Sequence, residues 1–258
     1  MGKSIAIFNQ KGGVGKTTTA INLGACLAEA GKRVLLLDVD PQGNTTSGVG
    51  ISKKDLEYTV YDVLLDPSLD PHLVIVGTSV EGLDVLPADV DLAGAEIEMV
   101  DIEGRDRRLV SVVDRVSDEY DYILVDCPPS LGLLTINSLA AVDEVLVPIQ
   151  CEFYALEGVS QLVSTIELVR RSLNKSLSIE GVVLIMFDGR LNLSIQVVQE
   201  VKKYFGSKVY STVIPRNIRL AEAPGFGMPI TQYDRRSRGA EAYRALAKEF
   251  LEREEGNI

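Results

Sequence analysis

The most informative stretch of this chain is "NQKGGVGKTTT", residues 9–19, in which a glycine-rich loop separates an apolar run from a helix-forming segment. Gly12, Gly13 and Gly15 allow backbone N–H groups to converge on an anion, and the following helix directs the positive end of its dipole at the same point. A glycine loop between a strand and a helix is typical of phosphate binding. A glycine-rich turn without a ligand is the alternative, which this context disfavours.

The side chains of this loop have predictable roles toward a nucleoside triphosphate. Lys16 is expected to neutralise the β and γ phosphates, the Thr17 hydroxyl to bind Mg²⁺, and Thr18 to hydrogen-bond the α-phosphate. One lysine is enough to cradle the phosphates, so Lys11 needs a separate explanation. The residues of the loop predicted to contact the nucleotide are Lys11, Gly12, Gly13, Val14, Gly15, Lys16, Thr17 and Thr18.

Beyond the loop, apolar runs without alternation recur and are separated by helix-length segments, as in parallel sheets that are covered on both faces. This pattern predicts an α/β fold, a doubly wound, mostly parallel sheet with helices on both faces. No repeat or linker divides the chain, so a single domain over residues 1–258 is expected. The predicted strands are 4–9, 33–38, 83–88, 122–126, 144–149, 181–187 and 208–215, and the predicted helices are 16–30, 105–119, 132–141, 157–173, 194–205 and 238–254.

One segment, residues 42–82, has weaker periodicity. Its first part, "GNTTSGVGISKKD", is polar and contains glycine, and is predicted to form a mobile loop beside the phosphate site. The following "YTVYDVLLD" is predicted to form a short amphipathic helix.

Three acidic residues end predicted strands and therefore meet the glycine loop at one edge of the sheet, where ligands of parallel sheets bind. Asp38 and Asp40 end "LLLDVD", and Asp126 ends "YILVD". Asp126 suits contact with Mg²⁺, either directly or through water. Of Asp38 and Asp40, one can lie behind the metal or hold a lysine, and the other can orient water for attack on the γ-phosphate. A helix cap or turn is the alternative for either aspartate alone.

Composition excludes several classes of protein. No apolar run approaches the roughly 20 residues of a membrane span, and the start of the chain does not have the pattern of a secretory signal, so a cytosolic protein is expected. The three cysteines, Cys26, Cys127 and Cys151, form no CxxC pair, which disfavours a zinc or iron–sulfur site within one chain.

Charge is distributed unevenly along the chain, whose net charge is −11. Residues 190–240 contain nine Lys/Arg against three Asp/Glu, whereas residues 1–189 contain fourteen against twenty-nine. A basic region on an acidic body indicates an anion-binding face, with a solvated charged surface as the alternative.

At this point the chain resembles the ParA/MinD ATPases, whose deviant phosphate loop has the pattern KGGxGK[ST]. Lys11 and Lys16 match the two lysines of that pattern. The resemblance extends over essentially the whole chain. Five stretches of the chain are similar to the short chromosomal ParA (Soj) branch: "KGGVGKTT", "DVDPQGN", "VDCPPSLG", "VPIQCEFYALEG" and "VIPRNIRLAEAP".

The resemblance implies roles for individual residues. Lys11 would reach across an ATP-sandwiched homodimer to phosphates bound by the partner subunit, much as an arginine finger does. Gly12 would lie at the crossing point of the dimer, and Asp40 would be the hydrolytic aspartate, with Asp38 behind the metal. Pro215 and Asn217 would contact the adenine. A solvated loop lysine remains the alternative for Lys11.

The resemblance also implies partners. Arg190 and Arg219 match positions that contact DNA nonspecifically, and both stand in loop-like stretches from which a guanidinium could project freely. The implied cycle is ATP-driven dimerisation, binding to double-stranded DNA of the nucleoid, and hydrolysis stimulated by a ParB-type protein, with the effect of segregating chromosome origins. Cytoplasmic, nucleoid-associated localisation without membrane binding is therefore expected.

Three other classes of protein contain the same glycine-rich loop. A MinD-like membrane ATPase would need a basic amphipathic C-terminal helix, whereas the last ten residues here contain more acid than base. An iron–sulfur carrier is disfavoured by the cysteine pattern. A small-molecule transferase or synthetase would show ATP turnover that depends on a small substrate and not on DNA.

Overall fold

The apolar runs form one eight-stranded sheet in the computed structural model, which describes residues 2–152 and 155–256. The sheet order is β3-β4-β2-β5-β1-β6-β7-β8, numbered along the chain. All neighbouring strands are parallel except β3, which pairs antiparallel with β4 at one edge. The strands are β1 (Lys3–Ile7), β2 (Val34–Asp38), β3 (Val76–Gly77), β4 (Leu83–Leu86), β5 (Tyr122–Asp126), β6 (Glu144–Gln150), β7 (Ser178–Phe187) and β8 (Val209–Pro215).

Helices cover both faces of this sheet. Successive residues of a strand point to opposite faces, so Ile5 and Ile7 pack into one apolar layer and Ala6 and Phe8 into the other. The prediction of a doubly wound, mostly parallel sheet is therefore confirmed. The α-helices are α1 (Lys16–Glu29), α2 (Asn44–Gly48), α3 (Val60–Leu65), α4 (Leu92–Glu98), α5 (Arg108–Val116), α6 (Leu133–Ala141), α7 (Ala155–Ser172), α8 (Asn192–Phe205), α9 (Ile218–Glu222), α10 (Ile230–Tyr233) and α11 (Arg238–Glu254).

The register of the central strands places their last residues side by side. On β1, Ile7 lies opposite Asp126 of β5, and Asp38 of β2 lies opposite the same Asp126. Strand β1 lies inside the sheet, with β5 on one side and β6 on the other. The carboxyl ends of β1, β2 and β5 therefore form one rim, which is where an open α/β sheet binds its ligand.

The prediction that "GNTTSGVGISKKD" forms a loop throughout is wrong. Residues 44–48 form α2 instead, and Thr45 and Thr46 of this helix are fully buried. The predicted short helix after it is confirmed as α3, which begins with a capping box between Thr59 and Asp62. Helices α4, α9 and α10 and strand β3 were not predicted, because each is too short or too irregular to show a period.

The long predicted helices and strands agree with the structure to within a few residues, except that residues 105–107 form a 3₁₀ turn before α5. None of the helices in the described ranges is long and apolar enough to cross a bilayer. The single domain over residues 1–258 stays a prediction, which the continuity of the sheet supports; Met1, Phe153, Tyr154, Asn257 and Ile258 lie outside the described residues.

Candidate functional site

The loop between β1 and α1 has the conformation that its glycines were expected to allow. Gly13 and Gly15 have φ angles of 74° and 71°, a left-handed backbone in which residues with a Cβ are strained. Gly15 immediately precedes the first turn of α1, so the N–H groups of that turn face the loop. Lys11, Gly12 and Gly13 are exposed at the tip, whereas Val14 is buried.

Lys16 folds back over this loop. Its Nζ donates a hydrogen bond of 3.2 Å to the backbone carbonyl oxygen of Lys11, and the residue is only 7% exposed. Burial lowers the pKa of Lys16, although the negative charges of Asp126 and Asp40 act in the opposite direction. A buried ammonium that has a single carbonyl partner among the described residues is well suited to an anionic ligand placed in the loop.

Asp126 lies at the centre of the rim and is almost fully buried. Its Oδ2 accepts hydrogen bonds from the Thr17 hydroxyl at 2.7 Å and the Thr45 hydroxyl at 2.8 Å. Its Oδ1 is buried and has no hydrogen-bond partner among the described residues. A buried carboxylate oxygen without a partner, next to a threonine hydroxyl, fits a hard cation such as Mg²⁺, which prefers oxygen ligands.

Asp38 lies beside Asp126 and is held by the following helix. Its Oδ2 accepts from the backbone N–H of Thr46 at 2.8 Å and from the Thr46 hydroxyl at 2.7 Å. Burial raises the pKa of Asp38, and the charge of Asp126 raises it further. Burial also raises the pKa of Asp126. Two buried carboxylates at adjacent register positions need a positive charge nearby to stay ionised together, which again fits a bound cation.

Asp40 lies on the same rim in the turn after β2 and is 9% exposed. Its Oδ1 accepts a hydrogen bond of 2.9 Å from the backbone N–H of Gln42, and its own N–H donates to Asp38 at 3.3 Å. Asp40 is close enough for its charge to act on both Lys16 and Asp126. The three predicted acids, Thr17 and Lys16 are therefore brought to one place.

Pro215 and Asn217 border a separate cavity that adjoins the glycine loop. This cavity of about 270 Å³ has a mostly apolar lining, as is usual for a site that takes a planar ring. The Oδ1 of Asn217 accepts from the Arg219 N–H at 2.8 Å and so caps α9. The residues that line the cavity are Gly15, Thr18, Ile185, Met186, Ile214, Pro215, Arg216, Asn217, Ile218, Leu220, Ala221 and Tyr243.

Arg190 and Arg219 are exposed, but the prediction that their guanidiniums project freely is wrong. Arg190 donates two hydrogen bonds to Asp188, at 2.9 and 2.6 Å. Arg219 belongs to α9 and not to a loop, and its Nη1 lies 2.8 Å from Glu222 Oε2. In the described part of the chain, no hydrogen bond or ion pair joins either arginine to the acids of the rim.

Sequence reasoning missed three residues of this site. Thr45 and Thr46 stand in a stretch whose composition predicts a polar loop, and only their burial against Asp126 and Asp38 distinguishes them from surface threonines. Met186 lines the cavity with a φ of 53°, the one non-glycine residue with positive φ in the described ranges. No sequence pattern signals either feature.

The sheet order, the glycine loop between β1 and α1 and the acids on the adjoining strand ends define a P-loop nucleoside triphosphatase. A family model described as an AAA domain matches residues 2–179. The sporulation initiation inhibitor protein Soj of Bacillus subtilis (strain 168) is 64% identical over 249 residues, which cover 96% of this chain and 98% of Soj. The chromosome partitioning protein ParA of Myxococcus xanthus (strain DK1622) is 52% identical over 254 residues, 98% of this chain and 89% of that protein.

Solved structures agree with this assignment. A crystal structure of cobyrinic acid a,c-diamide synthase from Mycobacterium smegmatis with bound ADP and magnesium superimposes with a TM-score of 0.86 at 37% identity, covering 100% of this chain and 97% of that one. The chain belongs to the ParA/MinD family of ATPases, in the branch of the chromosomal ParA (Soj) proteins.

Proposed function

We propose that this protein is an ATP-dependent switch that dimerises, binds DNA nonspecifically and hydrolyses ATP to segregate chromosome origins with a ParB-type partner. The observation that carries the proposal is the buried network at Asp126, where the loop residue Thr17 and a partnerless carboxylate oxygen meet beside the glycine loop. The names of the relatives Soj and ParA support the assignment to chromosome partitioning.

ATP would lie with its phosphates in the loop and its base in the cavity bordered by Pro215 and Asn217. Lys16 and the backbone N–H groups of residues 12–16 would neutralise the phosphates, since the Lys16 ammonium is buried at that point. Mg²⁺ would be held by Thr17 and, directly or through water, by Asp126, with Asp38 behind them. When bound, Mg²⁺ would supply positive charge to the phosphate oxygens. The bound ADP and magnesium of the solved synthase support this assignment.

Asp40 is the residue we assign to hydrolysis. It is mostly buried, it lies on the rim beside the acids that would hold Mg²⁺, and a single turn hydrogen bond from Gln42 orients its carboxylate. A carboxylate in that position can orient a water molecule for in-line attack on the γ-phosphate.

Dimerisation would use Lys11 and Gly12. Lys11 is exposed at the tip of the loop, whereas Lys16 is buried and donates to the Lys11 carbonyl oxygen, so the two lysines are not equivalent. Gly12 does not have a positive φ, and a Cβ at this position would meet only Pro129 Cβ at 3.9 Å. Nothing in the described part of the chain requires glycine there, which supports the role of a crossing point against a second copy.

DNA binding would use Arg190 and Arg219 after they exchange their carboxylate partners for backbone phosphates. Two copies in a dimer double the number of cations on one face, so that ATP can change DNA affinity without touching DNA. A ParB-type partner with a basic segment would suit the acidic body, whose net charge outweighs the basic region. The protein would then be located in the cytoplasm, on the nucleoid.

Binding of Asp40→Ala protein to random-sequence duplex DNA, with ATP and with ADP across a salt series, tests this proposal. Tight binding with ATP alone, weakening steeply with salt, is expected because phosphate contacts release counterions. Absence of ATP-dependent binding at low salt would contradict the proposal. ATP turnover that instead depends on a small substrate would favour the synthetase alternative.

A further inference from the structure

The short helix α2 is anchored to the acids of the site at its N-terminal end. Thr45 donates to Asp126, and Thr46 donates to Asp38 through both its hydroxyl and its backbone N–H. The Thr46 hydroxyl also accepts a hydrogen bond of 2.9 Å from the backbone N–H of Ala88, after β4. Because both threonines are fully buried, this end of α2 cannot shift without moving the carboxylates.

The other end of the same segment packs backbone against backbone on the turn that follows α9. A Cβ at Gly50 would lie 2.9 Å from the carbonyl oxygen of Gly227, and a Cβ at Gly227 would lie 2.7 Å from Gly50 Cα. Two residues earlier, a Cβ at Gly48 would overlap Ile21 Cδ1 of α1 and would lie 3.8 Å from Pro224 Cβ. At Gly50 and Gly227 the nearest atoms of the described residues are backbone atoms, so a displacement of one backbone is passed directly to the other.

The contacted turn is continuous with the helix that carries Arg219. Helix α9 ends at Glu222, which pairs with Arg219 alongside Asp234, and residues 223–226 follow as a 3₁₀ turn. This turn is closed by hydrogen bonds from Gly227 N to Pro224 O at 3.0 Å and from Met228 N to Ala223 O at 3.3 Å. Movement at Gly227 therefore reaches the Arg219–Glu222 pair through one short, hydrogen-bonded piece of chain.

We infer that residues 44–50, the coupling segment, link the state of the nucleotide site to the Arg219 face within one protomer. Thr45 and Thr46 are positioning residues for the carboxylates, and the Gly50–Gly227 contact transmits their shift to α9. The inference rests on the proposed function, since it needs an ATP-dependent change in DNA affinity. The coupling segment would act within one protomer, in addition to the doubling of charge that dimerisation brings. Coupling between two binding sites typically changes affinity by about 5- to 150-fold.

The variant Gly50→Ala tests the contact, and Gly104→Ala is its matched control. Both glycines have positive φ, 89° and 70°, so both alanines carry the same kind of backbone strain. At Gly104, however, a Cβ would meet nothing within 4 Å. In the Asp40→Ala background, Gly50→Ala should reduce the ratio of the DNA dissociation constants in ADP and in ATP by about tenfold, while Gly104→Ala leaves it unchanged.

Light scattering with ATP completes this test. If Gly50→Ala forms a dimer of normal size and has a reduced ratio of DNA dissociation constants in ADP and in ATP, the role of the coupling segment is supported. Equal ratios in the two glycine variants overturn it, and so does loss of the dimer in Gly50→Ala alone, because the contact would then act on dimerisation. If the Asp40→Ala parent shows no ATP-dependent DNA binding, the proposed function fails before the inference is reached.

A second pair of variants tests the N-terminal end and does not depend on strain. Thr46→Ser keeps the hydroxyl that bonds Asp38, whereas Thr46→Val keeps the shape and loses it. Thr46→Val should lower the ATP-to-ADP difference in DNA affinity about tenfold, and Thr46→Ser should leave that difference unchanged. Equal behaviour of the two variants, with folding verified by circular dichroism, would overturn the positioning role.

Discussion

The Nζ of Lys16 lies 3.2 Å from the backbone carbonyl oxygen of Lys11, while the side chain of Lys11 itself is exposed. The backbone carbonyl of Lys11 thus accepts a hydrogen bond from Lys16, whereas the ammonium group of Lys11 is exposed and available for contact with another molecule. A cation held at an exposed loop tip can act on a second protomer only if that protomer brings negative charge to it. Bound ATP would supply that charge.

Substitution of Lys11 should separate nucleotide binding from dimerisation. Lys11→Ala is expected to keep ATP binding, because Lys16 and the backbone carbonyl of residue 11 remain, but to lose the ATP-dependent dimer. Light scattering with ATP measures the dimer, and a fluorescent ATP analogue measures binding. Lys175→Ala serves as the surface-lysine control, and a Lys11→Ala protein that dimerises normally would contradict the role in trans.

Alanine at two neighbouring glycines should have opposite consequences. Gly13→Ala forces a residue with a Cβ to a φ of 74° and should cost about 1 kcal/mol of the free energy of unfolding. Gly12→Ala has space in the protomer and should leave thermal stability unchanged while weakening the ATP dimer. Calorimetry and light scattering distinguish the two, and Gly12→Ala with a full dimer would remove Gly12 from the interface.

The strand ends show what the sequence could predict. Asp38 and Asp126 follow continuous apolar runs, and parallel strands with helices between them can bring such residues to only one rim, so the acids of the site follow from local pattern. The threonines that hold them do not. Thr45 and Thr46 stand in a polar stretch without periodicity, and their burial results from hydrogen bonds to residues far away in the chain.

The basic face shows a different limit. Its excess of Arg and Lys is visible in the sequence, but the pairing of Arg190 with Asp188 depends on a tight turn, and the Arg219–Glu222 pair depends on a five-residue helix. Neither element is long enough for a period to reveal it. Local charge counts therefore predict the basic face but not the ion pairs that its arginines form with nearby carboxylates.

Removal of the Asp40 carboxylate should block hydrolysis and spare binding. Asp40→Ala is expected to bind ATP and dimerise while its turnover falls about 10²- to 10⁴-fold, the usual range for loss of a group that acts on a proton or water. Asp89→Ala is the matched control, because Asp89 Oδ1 accepts from the backbone two residues later at 3.1 Å, as Asp40 does. Wild-type turnover in Asp40→Ala would remove Asp40 from the mechanism.

Release of Arg190 from its carboxylate should strengthen DNA binding. Asp188 accepts two hydrogen bonds from Arg190, and these lower the pKa of Asp188 to about 2, so the carboxylate is ionised throughout the useful pH range. Asp188→Asn should therefore raise DNA affinity and steepen its salt dependence by about 0.9 per added phosphate contact. Filter binding across a salt series measures both quantities.

Arginine substitutions complete that experiment. Arg190→Ala should cancel the gain of Asp188→Asn, and Arg190→Ala combined with Arg219→Ala should abolish ATP-dependent DNA binding without loss of the dimer. Arg171→Ala is the control, since Arg171 is likewise exposed and paired with a carboxylate, Glu167. DNA binding that survives the double substitution would show that the basic face has been assigned to the wrong residues.

Glu180 should make the stability of the fold depend on pH. Its Oε1 accepts a hydrogen bond of 2.5 Å from Tyr210, its Oε2 has no hydrogen-bond partner among the described residues, and burial raises its pKa from 4.5 to about 7. A carboxyl group whose pKa is raised on folding binds its proton more tightly in the folded state. Its cost to stability is therefore absent below pH 4.5, grows as the pH rises to 7, and is complete above pH 7.

Replacement of Glu180 by an uncharged isostere tests this pH dependence. Glu180→Gln should raise the free energy of unfolding by roughly 1 to 3 kcal/mol at pH 8 and by little at pH 5. Urea unfolding at the two values measures the difference, with Glu57→Gln at an exposed position as control. An equal effect of Glu180→Gln at both values would mean that Glu180 is already ionised in the folded protein at pH 5.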